Sequence, residues 1–116
     1  MKTLITFISS GKGSWKKTKD VIEKKHWDKI IALTNEFGKE NFQTTKKISY
    51  ILIPKTDSVK MIKNKCIEIL QKNKKPHICI HSGTGKEHTA LLLALNTHKK
   101  SYKLVWEEYD EIKEDS

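Results

Sequence analysis

Two short segments carry most of the residues that could bind an anion. They are Ser9–Ser14 (SSGKGS) and Ser82–Lys86 (SGTGK), and together they hold four of the chain's five glycines. Glycine lets backbone N–H groups come close to an anion, hydroxyl groups donate hydrogen bonds, and lysine adds positive charge. These residue types are typical of phosphate-binding loops. Glycine and serine are also common in ordinary turns between strands and helices, so either segment alone would indicate little.

The familiar phosphate motifs do not fit these segments. A Walker loop needs a glycine five residues before Gly85 and a hydroxyl residue after Lys86, but Ile80 and Glu87 occupy those positions. The dinucleotide pattern is only begun by Gly11 and Gly13, because Lys16 stands where its third glycine belongs. The chain has no arginine, which excludes the loop of a cysteine phosphatase.

The pattern for a metal site is weak. His77, Cys79 and His81 alternate along an apolar run, so they would share one face of a strand. Partly buried core positions explain such residues more often than metal ligands do. We therefore predict no metal and no cofactor.

Hydrophobic periodicity predicts the elements that must position these loops. Five strands are predicted over Thr3–Ile8, Lys29–Thr34, Ile48–Ile53, His77–His81 and Tyr102–Tyr109. Helical spacing predicts Trp15–Lys25 with Ser14 as N-cap, a short helix near Lys39–Thr45, a helix capped by Thr56 or Asp57 that runs to Leu70, and Glu87–Asn96.

The alternation of strands and helices favours a single α/β domain over residues 1–116, with residues 104–116 as the last strand and an acidic tail. We expect a Rossmann-like three-layer sandwich with a mainly parallel five-stranded sheet, order 3-2-1-4-5, and helices on both faces. In that order the first and fourth strands are neighbours and the winding reverses between them. The two loops would then meet in the crevice where ligands of such folds bind.

The charge of the chain also favours an anionic ligand. All 23 basic residues are lysine against 14 acids, which gives a net charge of +9. The absence of arginine argues against direct reading of bases in a DNA groove. An AT-rich genome or life at high temperature would also enrich lysine. The chain contains no apolar run of membrane-spanning length and no signal-peptide cleavage pattern, and its two cysteines lie in apolar patterns, so we expect a reducing cytoplasm.

The two loops in this context resemble a known family. Ser9–Ser14 after the first strand, and Ser82–Leu91 (SGTGKEHTAL) after the fourth, are similar to the motifs of the CARF domain, the CRISPR-associated Rossmann fold. The family's second motif is a Gly-Thr-rich turn followed by lysine and a small apolar helix. Here the turn runs Gly-Thr-Gly-Lys rather than the commoner Gly-Gly-Thr-Lys. The resemblance spans nearly the whole chain.

The resemblance implies a homodimer that binds a cyclic oligoadenylate across its two-fold axis, in antiviral signalling. The implied ligand-binding residues are those of the two loops and of the turn after the second strand. They are Ser9, Ser10, Gly11, Lys12, Gly13, Ser14, Asn35, Glu36, Ser82, Gly83, Thr84, Gly85, Lys86 and His88.

Two activities are open under this resemblance. The chain is either a sensor that relays ligand binding or a metal-independent ring nuclease that cleaves the ring. In the second case Ser10 would orient the ribose and Lys86 would stabilise the phosphate. His88 is a further acid–base candidate. Trp15 could stack on a base, although its helical spacing with Val21 and Ile22 favours a place in the core.

Two other classes of function are less favoured. A general binder of single-stranded nucleic acid would use the basic surface, but aromatic residues are only 8% and form no stacking ladder. A flavodoxin-like FMN protein of this basic charge would be unusual.

Overall fold

The computed structural model describes residues 1–9, 11–99 and 101–116, without the side chain of Lys12. Strands alternate with helices along most of the chain. In order they are β1 (Thr3–Ile8), α1 (Trp15–Lys24), β2 (Lys29–Thr34), α2 (Glu36–Asn41), β3 (Ser49–Leu52), α3 (Val59–Lys72), β4 (His77–Cys79), α4 (Gly85–His98), β5 (Lys103–Glu108) and β6 (Glu111–Asp115). A single 3-10 turn, Lys12–Ser14, precedes α1.

The fold is α/β, with one mixed, mostly parallel sheet in the order β3-β2-β1-β4-β5-β6. Strands β1 to β5 run parallel, and β6 is antiparallel to β5. The expectation of five strands and an acidic tail is therefore wrong for residues 111–115, which form a sixth strand. Tyr109 and Asp110 make the intervening turn with φ of 54° and 63°, the left-handed backbone of a tight hairpin.

Two apolar layers enclose the sheet. On one face α3 and α4 pack against Ile5, Phe7 and the neighbouring strands. On the other face Leu4 and Ile8 pack with Val21 and Ile22 of α1. Every residue of β1 is buried, as its position in the middle of a two-sided sheet requires. The carboxyl end of β1 therefore lies between the carboxyl ends of other parallel strands, where the loops leave the sheet.

Several predicted boundaries and caps are corrected. Ser58, not Thr56 or Asp57, caps α3 by accepting a hydrogen bond from the backbone of Met61. The buried carboxylate of Asp57 instead pairs with Lys65 at 2.7 Å. Ser14 precedes α1 but makes no side-chain capping bond, because the 3-10 turn leads directly into the helix.

The remaining differences concern element length. Helix α2 begins at Glu36, three residues before the predicted start at Lys39, because Asn35 caps it. Helix α4 begins at Gly85 and not at Glu87, because Thr84 caps it. Strand β4 ends at Cys79 and not at His81. No helix among the described residues is both long and apolar enough to cross a membrane.

Candidate functional site

The two glycine-rich loops meet at their first residues. Strands β1 and β4 are hydrogen-bonded neighbours, so the chain leaves the sheet at adjacent points. The backbone N–H of Ser9 donates to the Ser82 hydroxyl oxygen at 2.9 Å, and the two hydroxyl oxygens lie 3.1 Å apart. Ser82 is buried at this junction. The meeting of the loops is therefore polar, with no apolar side chain in this contact.

Helix α4 opens on this junction with a capping box. The Thr84 hydroxyl accepts from the Glu87 N–H at 3.2 Å, and the Glu87 carboxylate accepts from the Thr84 N–H at 2.8 Å. The N–H groups of Gly85 and Lys86, between these two positions, are the ones in the first turn that the box does not use. They carry the positive end of the helix dipole, which favours an anion.

Lys86 is exposed, but its ammonium group is held in place. It donates to the backbone oxygen of Asp57 at 2.7 Å and to that of Lys55 at 3.1 Å. Lys65 of α3 reaches the same connection, since it pairs with the Asp57 carboxylate at 2.7 Å and donates to the backbone oxygen of Leu52, the last residue of β3, at 3.1 Å. Two lysines thus anchor the connection between β3 and α3 to the helices. The predicted role of Lys86 at a phosphate has a structural role beside it.

A cleft of ≈ 190 Å³ lies where the loops after β1, β2, β3 and β4 converge. It continues into a hollow of ≈ 330 Å³ on the β2–β3 side. The cleft is lined by Ser9, Asn35, Ile53, Pro54, Lys55, Thr84, Lys86 and Glu87. The sequence reasoning missed Ile53–Lys55. The end of the third predicted strand at Pro54 could have indicated this segment, because carboxyl ends of parallel strands share one edge of a sheet.

The turn after β2 lines part of the hollow. Asn35 is an N-cap whose side-chain oxygen accepts from the Gly38 N–H at 2.8 Å, so its amide is partly committed to α2. Glu36 is exposed beside it. Trp15 is itself partly buried, its ring lies 5.6 Å from that of the buried Phe42, and its indole N–H donates to the Ser9 oxygen at 2.7 Å. Trp15 therefore supports the first loop from the core side.

His88 fixes the second loop. Its Nε2 lies 3.0 Å from the Ser82 backbone oxygen, and its ring packs edge-on against Phe7. Gly83 has a φ of 121°, and a Cβ at this position would come within 2.7 Å of His88 Nε2. The turn thus requires glycine for its backbone conformation and for its contact with His88. In this arrangement His88 positions the loop, and its imidazole lies next to the site.

No metal centre forms from the alternating residues His77, Cys79 and His81, which lie in β4 and just beyond its end. His77 Nε2 lies 3.2 Å from a Glu114 carboxylate oxygen, whereas His81 Nε2 accepts the Glu107 N–H at 2.8 Å. No group of three metal-ligating side chains occurs among the described residues. Burial raises the pKa of Cys79, and burial together with the charge of Glu87 raises the pKa of Cys66 to about 12. Neither thiol is poised as a nucleophile.

Some predicted site residues lie on parts of the first loop that do not line the cleft. Gly11 and Gly13 are exposed, and the Ser14 backbone oxygen accepts from the Thr18 hydroxyl. Ser10 and the side chain of Lys12 lie outside the described residues, so their predicted roles stay predictions. Comparison of the sequence with protein-family models and with curated proteins finds no match.

Proposed function

We propose that this protein binds a phosphate-bearing nucleotide in the cleft between the loops after β1 and β4. One observation carries the proposal: Ser9 and Ser82 join the two loops by hydrogen bonds beside the amino end of α4. This junction places the Ser9 hydroxyl beside the Gly85 and Lys86 N–H groups that the capping box does not use, and such donors at a helix N-terminus favour a phosphate. The cleft continues past Asn35 and Pro54, which leaves room for a sugar or base beyond the phosphate.

The sequence resemblance to CARF domains makes a cyclic oligoadenylate the specific ligand of the proposal. A ring with two-fold symmetry suits a dimer in which each copy offers the same loops. The protein would then bind one ring with two copies of the cleft. Sensing and cleavage are both compatible with this arrangement.

Cleavage would follow a metal-free path. A ribose 2′-hydroxyl oxygen bonds to the adjacent phosphorus, the bond from phosphorus to the 5′-oxygen breaks, and the hydroxyl proton ends on that 5′-oxygen. The products are linear oligoadenylates that end in a 2′,3′-cyclic phosphate. Ser10 would orient the ribose, and Lys86 with the α4 N–H groups would stabilise the developing charge.

The deciding experiment measures binding of cyclic tetra-adenylate and cyclic hexa-adenylate by calorimetry and follows the mixture by chromatography. Retention of the intact ring indicates a sensor, and linear products indicate a ring nuclease. Absence of binding to either ring rejects the cyclic-oligoadenylate proposal. A single incubation series therefore separates the binding and catalytic alternatives.

Gly85→Glu is the sharpest variant for the position of the phosphate. A Cβ at Gly85 meets no atom within 4 Å, and an acid in the first turn suits the helix dipole, so the fold should tolerate the change. The new carboxylate should weaken nucleotide binding by roughly tenfold or more through repulsion of phosphate. Asn64→Glu, on the exposed surface of α3, makes the same change in net charge and should leave binding unaltered.

Lys86→Ala separates the two roles of that lysine. If Lys86 also meets the phosphate, nucleotide binding per folded molecule falls by more than in Lys60→Ala, a control at an exposed position of α3. If the bonds to Lys55 and Asp57 are its whole role, the midpoint falls and nucleotide binding per folded molecule does not.

A further inference from the structure

The outer edge of β3 is open. Strand β3 ends the sheet order, and among the described residues it pairs only with β2. Just after β3, the Ile53 N–H donates to the Thr34 oxygen of β2 at 2.6 Å. Backbone groups alternate in direction along a strand, so Tyr50 and Leu52 turn theirs to the open side. There the Leu52 oxygen accepts from Lys65 at 3.1 Å, which leaves both groups of Tyr50 for a further strand.

This edge lacks the features that usually prevent a further strand from pairing. Ser49–Leu52 contains neither a proline nor a charged residue, and it pairs with four consecutive residues of β2 without a bulge. Edge strands are commonly blocked by one of these devices. The opposite edge, β6, has such protection, because four of the five residues in Glu111–Asp115 are charged. The backbone of β3 is therefore the more accessible of the two edges.

A cavity of ≈ 380 Å³ lies beside this edge, on the face of the sheet that α3 covers. Ile31, Ile51 and Ile69 form its apolar lining. Side chains of a strand point alternately to the two faces of a sheet, so every second side chain of an added strand would point to the cavity side. The cavity shares no lining residue with the nucleotide cleft or its hollow. It is a separate site with room for apolar side chains.

The rim of the cavity is basic. Lys29, Lys65 and Lys72 line it against a single acid, Glu68. Lys65 is paired with the Asp57 carboxylate at 2.7 Å. The ion pairs within the described residues involve neither Lys29 nor Lys72. Two positive charges beside the open edge are therefore available to carboxylates.

The charge around β3 favours an acidic occupant. Exposed Lys46 and Lys47 precede the strand and add to the positive charge of the cavity rim. Two copies of β3 paired with each other would bring these lysines together, and like charges oppose such pairing. A nucleic acid would meet the lysines but has no peptide backbone to pair with Tyr50. An extended acidic polypeptide meets both requirements.

The acidic strand of this chain itself is a poor occupant. In β6, Glu114 already pairs with His77 and Lys103, and Glu111 pairs with Lys113. Pairing of β6 with β3 of another copy would have to replace these contacts. A segment whose carboxylates are free does not carry that cost.

We propose that the open edge of β3 is a docking site for an extended acidic segment of a partner protein, which adds to the sheet as a further strand. Its backbone pairs with Tyr50, and an apolar side chain enters the cavity over Ile51. Its carboxylates meet Lys29 and Lys72. In such strand addition, backbone hydrogen bonds supply affinity and the pockets for alternate side chains supply selectivity.

The first experiment measures binding of a short blocked peptide to the full chain by calorimetry. The peptide alternates valine and threonine at its centre and carries glutamate at both ends. The same peptide with N-methyl groups on its central amides lacks the edge donors and should bind at least about tenfold more weakly. In hydrogen exchange followed by NMR, the unmodified peptide should slow exchange of the Tyr50 N–H.

The second experiment reverses charges on the rim. Lys29→Glu and Lys72→Glu should each weaken peptide binding at least about fivefold, because a carboxylate would then face the peptide's glutamates. Lys60→Glu is the matched control, since Lys60 is exposed on the same helix as Lys72 but does not line the cavity. Gly85→Glu, the variant of the nucleotide cleft, should bind the peptide like wild type. Failure of this site and failure of the nucleotide site are therefore distinguishable.

Several outcomes would overturn the proposal. They are absence of peptide binding, equal binding of the N-methylated peptide, unchanged exchange at Tyr50, and a loss in Lys60→Glu as large as that in Lys72→Glu. A short oligothymidylate that competes with the peptide and is equally sensitive to Lys72→Glu would assign this surface to nucleic acid. Sedimentation of the chain alone as long oligomers that Lys72→Glu disperses would assign it to β6 of a second copy.

Discussion

At the scale of single residues, Gly38 has the least room for a side chain among the glycines of the chain. A Cβ there would overlap the Thr34 hydroxyl oxygen and lie 3.2 Å from the Ile8 backbone oxygen. Those two atoms are themselves hydrogen-bonded at 2.5 Å, between β2 and the end of β1. Gly38→Ala should therefore cost about 1–3 kcal/mol in the free energy of unfolding, since it must displace a buried hydrogen bond. Urea unfolding monitored by tryptophan fluorescence measures this loss.

Gly13→Ala is the control for that measurement, because a Cβ at Gly13 meets no atom within 4 Å. Equal stability of the two variants would contradict the crowding around Gly38. Its tight contact is with residues on two other elements, and no local pattern around Gly38 carries that information.

At the scale of elements, the caps of α1 and α4 should differ in strength. Thr84 accepts a hydrogen bond from Glu87 within a capping box, whereas Ser14 makes no side-chain cap. Thr84→Ala should lower the free energy of unfolding by about 1 kcal/mol, and Ser14→Ala by clearly less. Thermal and urea unfolding of the two variants provide the test. A larger loss from Ser14→Ala would mean that the 3-10 turn before α1 depends on its hydroxyl.

Two histidines at and just beyond the ends of β4 should lower the free energy of unfolding in mild acid. Burial lowers the pKa of His77 and of His81 below the ordinary 6.5, although the Glu114 carboxylate opposes the shift at His77. The unfolded chain therefore binds more protons below about pH 6.5, and stability should decline as the pH falls through that value. His77→Gln with His81→Gln should flatten the decline between about pH 7 and 5. Each single variant should flatten the decline only in part.

The partners of these two histidines could not be predicted from the fourth strand alone. Alternation along the fourth strand predicted one shared face and favoured core positions over metal ligands. The partners that bury and bond these side chains, Glu107 and Glu114, come from the last two strands. Nothing local to residues 77–81 could name them, since the contacts depend on how the β5–β6 hairpin joins the sheet.

At the scale of the whole molecule, the alternation of strands and helices predicted the α/β class and a mostly parallel sheet. It also predicted that the loops after β1 and β4 meet, because two glycine-rich turns at neighbouring strands share one edge. It did not predict β6. The apolar signal of that strand is a single partly buried residue, Ile112, among charged neighbours, and its turn at Tyr109 and Asp110 lacks the usual Asn-Gly sequence. Pairing with β5 outweighs this weak local preference.

The charge of the whole molecule gives a test between nucleotide binding in the cleft and general binding of single-stranded nucleic acid. Lysines spread over α1 and α3 would hold an oligonucleotide through many phosphates, so its affinity should fall by about a thousandfold or more between roughly 50 and 200 mM salt. A ligand held by the α4 N-terminus and neutral loop donors releases fewer counterions, so its affinity should fall much less over the same range of salt.

Fluorescence anisotropy with a labelled mixed-sequence DNA, beside calorimetry with cyclic tetra-adenylate, measures how the affinity of each ligand changes with salt. Gly85→Glu should weaken only the cyclic ligand. An oligonucleotide that binds as tightly at the higher salt, and loses affinity with the same variant, would make the cleft part of a nucleic-acid surface.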